Sequence, residues 1–129
     1  MMIERGQGGL IVNIGSVAGS QTYADGAVYC ASKHAVHALS EGMRIDLLKH
    51  GIKVSEVRPG MVETEFSVVR FHGDRQRADK VYEGVKPLSA EDIADVIGWI
   101  VSLPPHVNVN DILVMPTQQA DAHYTDRKP

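Results

Sequence analysis

The stretch Gly9-Leu10-Ile11-Val12-Asn13-Ile14-Gly15-Ser16-Val17-Ala18-Gly19 decides the fold. Its apolar, β-branched run ends in a Gly/Ser turn, which reads as a short buried strand with Ser16 at the carboxyl end. The pattern returns in Gly51-Ile52-Lys53-Val54-Ser55-Glu56-Val57-Arg58-Pro59-Gly60, where a second β-branched run is broken by Pro-Gly. A helix predicted over 27–49 separates the two runs, and strands alternating with helices imply an α/β domain with a parallel sheet. In open sheets of this kind ligands bind beyond the carboxyl ends of the strands, where Ser16 and Pro59-Gly60 both fall.

The predicted helix carries Tyr29-Cys30-Ala31-Ser32-Lys33, with Ser16 thirteen residues before the tyrosine. One helical turn sets a phenol beside an ammonium. A free tyrosine is mostly protonated at neutral pH, and a neighbouring positive charge favours the phenolate. Tyr29 is thereby equipped as a general acid/base, with Lys33 as the group that activates it. A serine hydroxyl at the same point donates a hydrogen bond to a substrate oxygen while charge develops on it, the role assigned to Ser16. Taken alone, tyrosine and lysine four apart are a common solvated pair. The weight comes from the two strand ends converging on the same place.

These pieces resemble the C-terminal half of a short-chain dehydrogenase/reductase. The match rests on Asn13-Ile14-Gly15-Ser16, on Tyr29 to Lys33, and on Pro59-Gly60-Met61-Val62-Glu63-Thr64, in that family's order and spacing. The resemblance implies a Rossmann-type doubly wound parallel sheet whose first strands and Gly-rich turn are absent here. It implies hydride transfer between a nicotinamide and a small hydroxy or oxo substrate. Ser16, Tyr29 and Lys33 would be catalytic, and Tyr29, Lys33, Pro59, Gly60, Val62 and Thr64 would meet the cofactor. A narrower resemblance, through Glu65 to Phe71, Leu88 to Ala94 and Leu103 to Asn110, is to NADP-dependent dehydrogenases acting on serine, allo-threonine and other 3-hydroxy acids. It implies NADP as cofactor, with NAD left open because the residues that choose between them are not in this chain. It also implies a substrate lid over about 65–85, from which Arg70 or Arg75 would meet a substrate carboxylate bidentately. The alternative is that both arginines are solvated charges on a surface helix.

The departures from the family pattern are equally informative. The N-terminal Gly-rich turn, the second-strand residue selecting the dinucleotide, an Asn-Ala-Gly turn and a helix asparagine of the catalytic tetrad are not found. Gly6-Gln7-Gly8-Gly9 is no substitute, because it precedes a strand, whereas a dinucleotide fingerprint follows one and opens a helix. The chain alone is expected to bind a dinucleotide weakly or not at all. A second reading follows: a truncated, non-enzymatic relative whose long helix is an interaction surface. In that family the same helix lies in a dimer interface, so a homo-oligomer through about 27–49 is expected.

Composition narrows the classes. The 129 residues suffice for one domain, read as 1–116 with a polar tail at 117–129. A net charge of −3 gives no reason to expect nucleic acid as partner, and no apolar run approaches a membrane span. One cysteine excludes an internal disulfide, which together with the absence of a signal peptide's apolar region suits the cytoplasm.

Cys30 adjoins Tyr29 but points about 100° away on a helix, so it reads as a small packed side chain and not a nucleophile. His34 and His37, with Glu41 one turn on, have chelating spacing, yet no later residue offers an obvious further ligand and no metal is expected. Ser89-Ala90-Glu91-Asp92 predicts a capping box opening a helix that Pro104-Pro105 ends near Leu103. Trp99 is expected to share the core face of Ile93, Val96, Ile97 and Ile100. A last strand is predicted over Ile112 to Met115, and the tail after Thr117 is expected to be disordered or to dock on a partner subunit. The strand at 10–14 would lack its inner neighbour, so the chain on its own is expected to be marginally stable or associated.

Overall fold

The computed structural model describes residues 1–129. A short helix α1 (Met2–Arg5) leads through a glycine turn into β1 (Gly9–Ile14). The long helix α2 (Ala27–Leu47) follows, then β2 (Ile52–Pro59). Two short helices, α3 (Phe66–Arg70) and α4 (Arg75–Lys80), precede α5 (Ala90–Ser102) and β3 (Asp111–Val114). The strands form one parallel sheet in the order β1-β2-β3, with Gly9 opposite Ile52 and Glu56 opposite Asp111. This is the α/β architecture expected from the sequence, in the form of part of a Rossmann-type sheet.

β2 is the central strand and most of its residues are buried, which is why it reads as a nearly continuous β-branched run. Successive side chains of a strand point to opposite faces. Glu56 accordingly meets His37 of α2, while Val57 packs with Ile93 and Ile100 of α5. The two helices therefore cover opposite faces of the sheet.

Local signals set the boundaries. Gly51, at φ 64°, supplies the left-handed residue that lets the chain leave α2 and its terminal 3₁₀ turn and enter β2. The Ser89 hydroxyl accepts from the Asp92 amide at 3.2 Å, and the Asp92 carboxylate accepts from the Ser89 amide at 2.8 Å. This is the predicted capping box, and α5 ends as expected one residue before Leu103.

Two expectations need correction. Trp99 is 50% exposed and takes no part in the cluster of Val57, Ile93 and Ile100. At about 100° per residue it falls roughly 60° beyond Val96, on the flank of the apolar stripe and not within it. The tail, expected to be disordered or to reach a partner, folds back on its own chain instead. Gln118 donates to the Gly84 carbonyl (3.1 Å) and accepts from the Lys86 amide (2.8 Å), while the Lys128 amide reaches the Gly84 carbonyl at 2.9 Å. Side-chain amides carrying both donor and acceptor make this possible in a segment with almost no apolar residues.

Candidate active site

β1 ends at Ile14, and Gly15 stays tied to the sheet through its amide, which donates to the Val57 carbonyl at 2.8 Å. The chain then turns sharply. Ser16 opens a 3₁₀ turn over Val17–Gly19, and its Oγ accepts from the Ala18 amide at 3.1 Å. That bond fixes the hydroxyl oxygen and leaves its hydrogen free to donate.

The first turns of α2 pack against this turn. Lys33 extends to the end of β1, where its Nζ donates to the Ile14 carbonyl at 3.0 Å, and the same ammonium lies 5.8 Å from the centre of the Tyr29 ring. Tyr29 also packs against Phe66 of α3, with ring centres 5.4 Å apart. Ser16, Tyr29, Lys33, Pro59, Gly60, Val62 and Thr64 all line one cavity of about 520 Å³ beyond the carboxyl ends of β1 and β2. Its size suits a small ligand site.

The segment leaving β2 is held from the other side. Gln119, buried in the returning tail, accepts from the Met61 amide at 2.8 Å and donates to the Asp121 carbonyl at 3.1 Å. The Tyr82 hydroxyl donates to the Val62 carbonyl at 2.9 Å and lies 2.7 Å from the Ser67 hydroxyl. Thus the 59–62 backbone, α3 and the stretch after α4 are joined through one phenol.

Of the two arginines expected near a substrate, Arg70 lines the cavity and Arg75 does not. The Arg70 guanidinium lies 5.5 Å from the Tyr23 ring centre, 5.7 Å from that of Phe71 and 6.0 Å from that of Tyr29. It also donates to the Tyr23 hydroxyl at 3.3 Å. Burial pushes the Tyr23 phenol above its usual 10.0, against the opposing pull of the Arg70 charge, so Tyr23 is a neutral wall of the site. Lys33, Arg70, His123 and Arg127 reach the cavity lining, and no aspartate or glutamate does. The cavity therefore favours an anion.

Cys30 is fully buried, as a packed small side chain would be. His34 does not approach His37 as a co-ligand; its Nδ1 lies 2.8 Å from the Cys30 carbonyl. His37 instead hydrogen-bonds Glu56 at 2.7 Å, a partner from β2 that helical spacing could not reveal. Tyr23, Tyr82, Gln119, His123 and Arg127 were also missed as cavity residues. Each arrives through a turn or the returning tail, and none sits in a periodic motif.

Residues 1–74 match the family model described as short chain dehydrogenase. The chain is 46% identical over 120 residues to the NADP-dependent 3-hydroxy acid dehydrogenase of Schizosaccharomyces pombe, covering 93% of this chain and 46% of that protein. It is 48% identical over 119 residues to a sulfoacetaldehyde reductase of Chromohalobacter salexigens, covering 92% and 47%. Among solved structures, the closed form of a serine dehydrogenase complexed with NADP+ superposes with a TM-score of 0.89 at 42% identity, covering 99% of this chain and 52% of that one. The chain thus spans about half the length of the curated relatives it matches. With its three-stranded parallel sheet and the Ser16, Tyr29 and Lys33 cavity at the strand ends, the chain belongs to the short-chain dehydrogenase family.

Proposed function

We propose that the protein at its native length is an NADP-dependent oxidoreductase that interconverts a small 3-hydroxy acid and its oxo form. The observation that carries this reading is the shared cavity: Ser16, Tyr29 and Lys33 face the segment Pro59 to Thr64 across the strand ends.

The residues present fit the nicotinamide end of the cofactor. Lys33 would hold the ribose hydroxyls, and the Val62 amide and Thr64 hydroxyl, which line the same cavity as Pro59 and Gly60, would offer polar groups to a carboxamide. No strand-to-helix glycine turn for a pyrophosphate is among these 129 residues. When bound, the nicotinamide supplies the hydride acceptor or donor.

Tyr29 takes the proton from the substrate hydroxyl, or returns it to the carbonyl oxygen. Lys33 holds positive charge beside the phenolate, the form of Tyr29 that takes the proton in oxidation and that remains after it gives the proton up in reduction. Ser16 donates a hydrogen bond to the same substrate oxygen, its own oxygen being fixed by the Ala18 amide. Arg70 receives the substrate carboxylate, supported by the absence of acidic residues from the lining. The segment over about 65–85, with α3 and α4, serves as the lid that brings Arg70 and Phe66 over the site.

The test is to supply the native-length protein with NADP+ and a panel of 3-hydroxy acids beside the matching uncharged alcohols. Reduction of NADP+ with the acids and much slower reduction with the alcohols is expected. No reduction with any hydroxy compound would overturn the reading.

A second role rests on α2, whose outer face exposes Val28 (86%) and Leu39 (60%), three turns apart on one side. This face is the surface we assign to self-association, and in a chain without turnover it would be the surviving function. Sedimentation of the Val28→Glu/Leu39→Glu protein checks it: dissociation to monomer is expected, and an unchanged assembly rejects it.

A further inference from the structure

β2 places a carboxylate where a core side chain would be expected. Glu56 is fully buried, its Oε2 accepts a hydrogen bond from His37 Nδ1 at 2.7 Å, and its Oε1 has no hydrogen-bond partner. Burying a charged group is costly unless it is well paired, so a half-satisfied carboxylate needs an account.

Its position supplies one. A Cβ built on Gly15 would lie 2.1 Å from Glu56 Oε1 and 3.0 Å from its Cδ, so the carboxyl group presses against the bare Cα of Gly15. Gly15 is the single residue between Ile14, whose carbonyl receives Lys33, and Ser16. Arg58, two residues further along the same face of β2, also closes on Gly15, with its Cγ 2.9 Å from that Cβ position. From there its guanidinium reaches the Ser20 hydroxyl at 3.1 Å and binds Asp111 through two nitrogens at 2.6 and 2.5 Å. The turn from Gly15 to Ser20 is thus seated on two side chains of β2.

The other end of the link is in α2. Tyr29, Lys33 and His37 follow at intervals of four and share one helix face. Lys33 ties that face to Ile14 in front of Gly15, and His37 ties it to Glu56 behind.

We propose that Glu56, held by His37, is a positioning residue that sets the Ser16 turn in register with Tyr29. It rests on the reading of Ser16 and Tyr29 given above, and its action is through Gly15, without contact with substrate. Glu56→Ala leaves a gap under Gly15 and frees the turn. Glu56→Gln keeps the shape and one bond to His37. Gly15→Ala collides with the carboxylate and with Cγ of Arg58.

The experiment is steady-state kinetics on the native-length protein. Glu56→Ala and His37→Ala are each expected to lower kcat by about 10- to 100-fold with the KM for NADP+ within about twofold, as a misplaced hydroxyl would. Glu56→Gln should retain most of kcat. A kcat preserved in His37→Ala, or a Glu56→Gln as impaired as Glu56→Ala, overturns the proposal. His37 is half-exposed, so its variants keep the test open should Glu56→Ala fail to fold. If the wild type shows no turnover, the functional reading fails and the positioning is read separately. The amide resonances of Gly15 and Ser16 should then shift in His37→Ala and stay near wild type in His37→Gln; unmoved resonances in His37→Ala reject it.

Discussion

The ammonium of Lys33 donates to the carbonyl oxygen of Ile14 at 3.0 Å, joining the helix that carries Tyr29 to the end of the strand that delivers Ser16. The same nitrogen stands 5.8 Å from the Tyr29 ring centre, and the proposed mechanism gives this one side chain both a structural and an electrostatic task. Lys33→Met removes both. Turnover is expected to fall by about 100-fold or more, while the lost neutral-acceptor bond costs stability by only about 1 kcal/mol. Kinetics at saturating substrate alongside thermal melting separate the two; a melting loss with unchanged kcat would deny Lys33 its part in the chemistry.

Of the two arginines that line the cavity, Arg70 is the less committed to the fold. Its side-chain bond is to the Tyr23 hydroxyl, at 3.3 Å, whereas Arg127 is spent on the carbonyls of Val81 and Glu83. Arg70→Met should raise the KM for a carboxylate substrate by about 10- to 100-fold, the worth of a charged hydrogen bond. Arg70→Lys should recover part of that, since lysine keeps the charge but lacks the planar fork. Comparing the acid with its methyl ester checks the assignment: equal losses on both would place the carboxylate elsewhere.

The wall formed by the tail carries its own pH dependence. The Asp121 carboxylate accepts from the backbone amides of His123 and Tyr124, both at 2.7 Å, and these bonds hold it below its usual 3.8. Because the folded value is the lower one, the unfolded chain binds the proton more readily in acid. The contribution of Asp121 is therefore complete above the unfolded value of 3.8 and is lost as pH falls through the lower folded value. Melting followed across the acid range should show a shallower decline for Asp121→Asn than for wild type, from a lower starting point. Parallel curves would contradict the assignment.

Legibility from sequence followed the range of the forces involved. The strand before Ser16, the capping box at Ser89 and the ends of α2 and α5 are written in residues close together in the chain, and they were read correctly. Trp99 was misjudged because spacing along a helix fixes a direction only to within the width of the apolar stripe. The Glu56–His37 bond, the Gln119–Met61 bond and the return of the tail to Gly84 join residues 19, 58 and 44 positions apart. Nothing periodic in the chain announces such contacts. The choice of Arg70 over Arg75 likewise depended on how α3 and α4 turn at His72 and Gly73, both at positive φ.

β1 is paired on one side only, with β2, and Ile14 at its end is half-exposed. An unpaired apolar edge invites pairing with another chain. As a 129-residue polypeptide the molecule is expected to associate, or to melt at a temperature that depends on concentration. Sedimentation velocity over a wide concentration range is the check. A monomer with a sharp, concentration-independent transition would show that β1 tolerates its open edge.

The most direct test of the central claim is Tyr29→Phe in the native-length protein, with turnover and NADP+ affinity measured side by side. Removing one hydroxyl oxygen leaves the ring that packs on Phe66 in place. Turnover is expected to drop by at least about 100-fold with dinucleotide affinity nearly unchanged. Normal turnover in that variant would remove Tyr29 from the proton transfer and contradict the account.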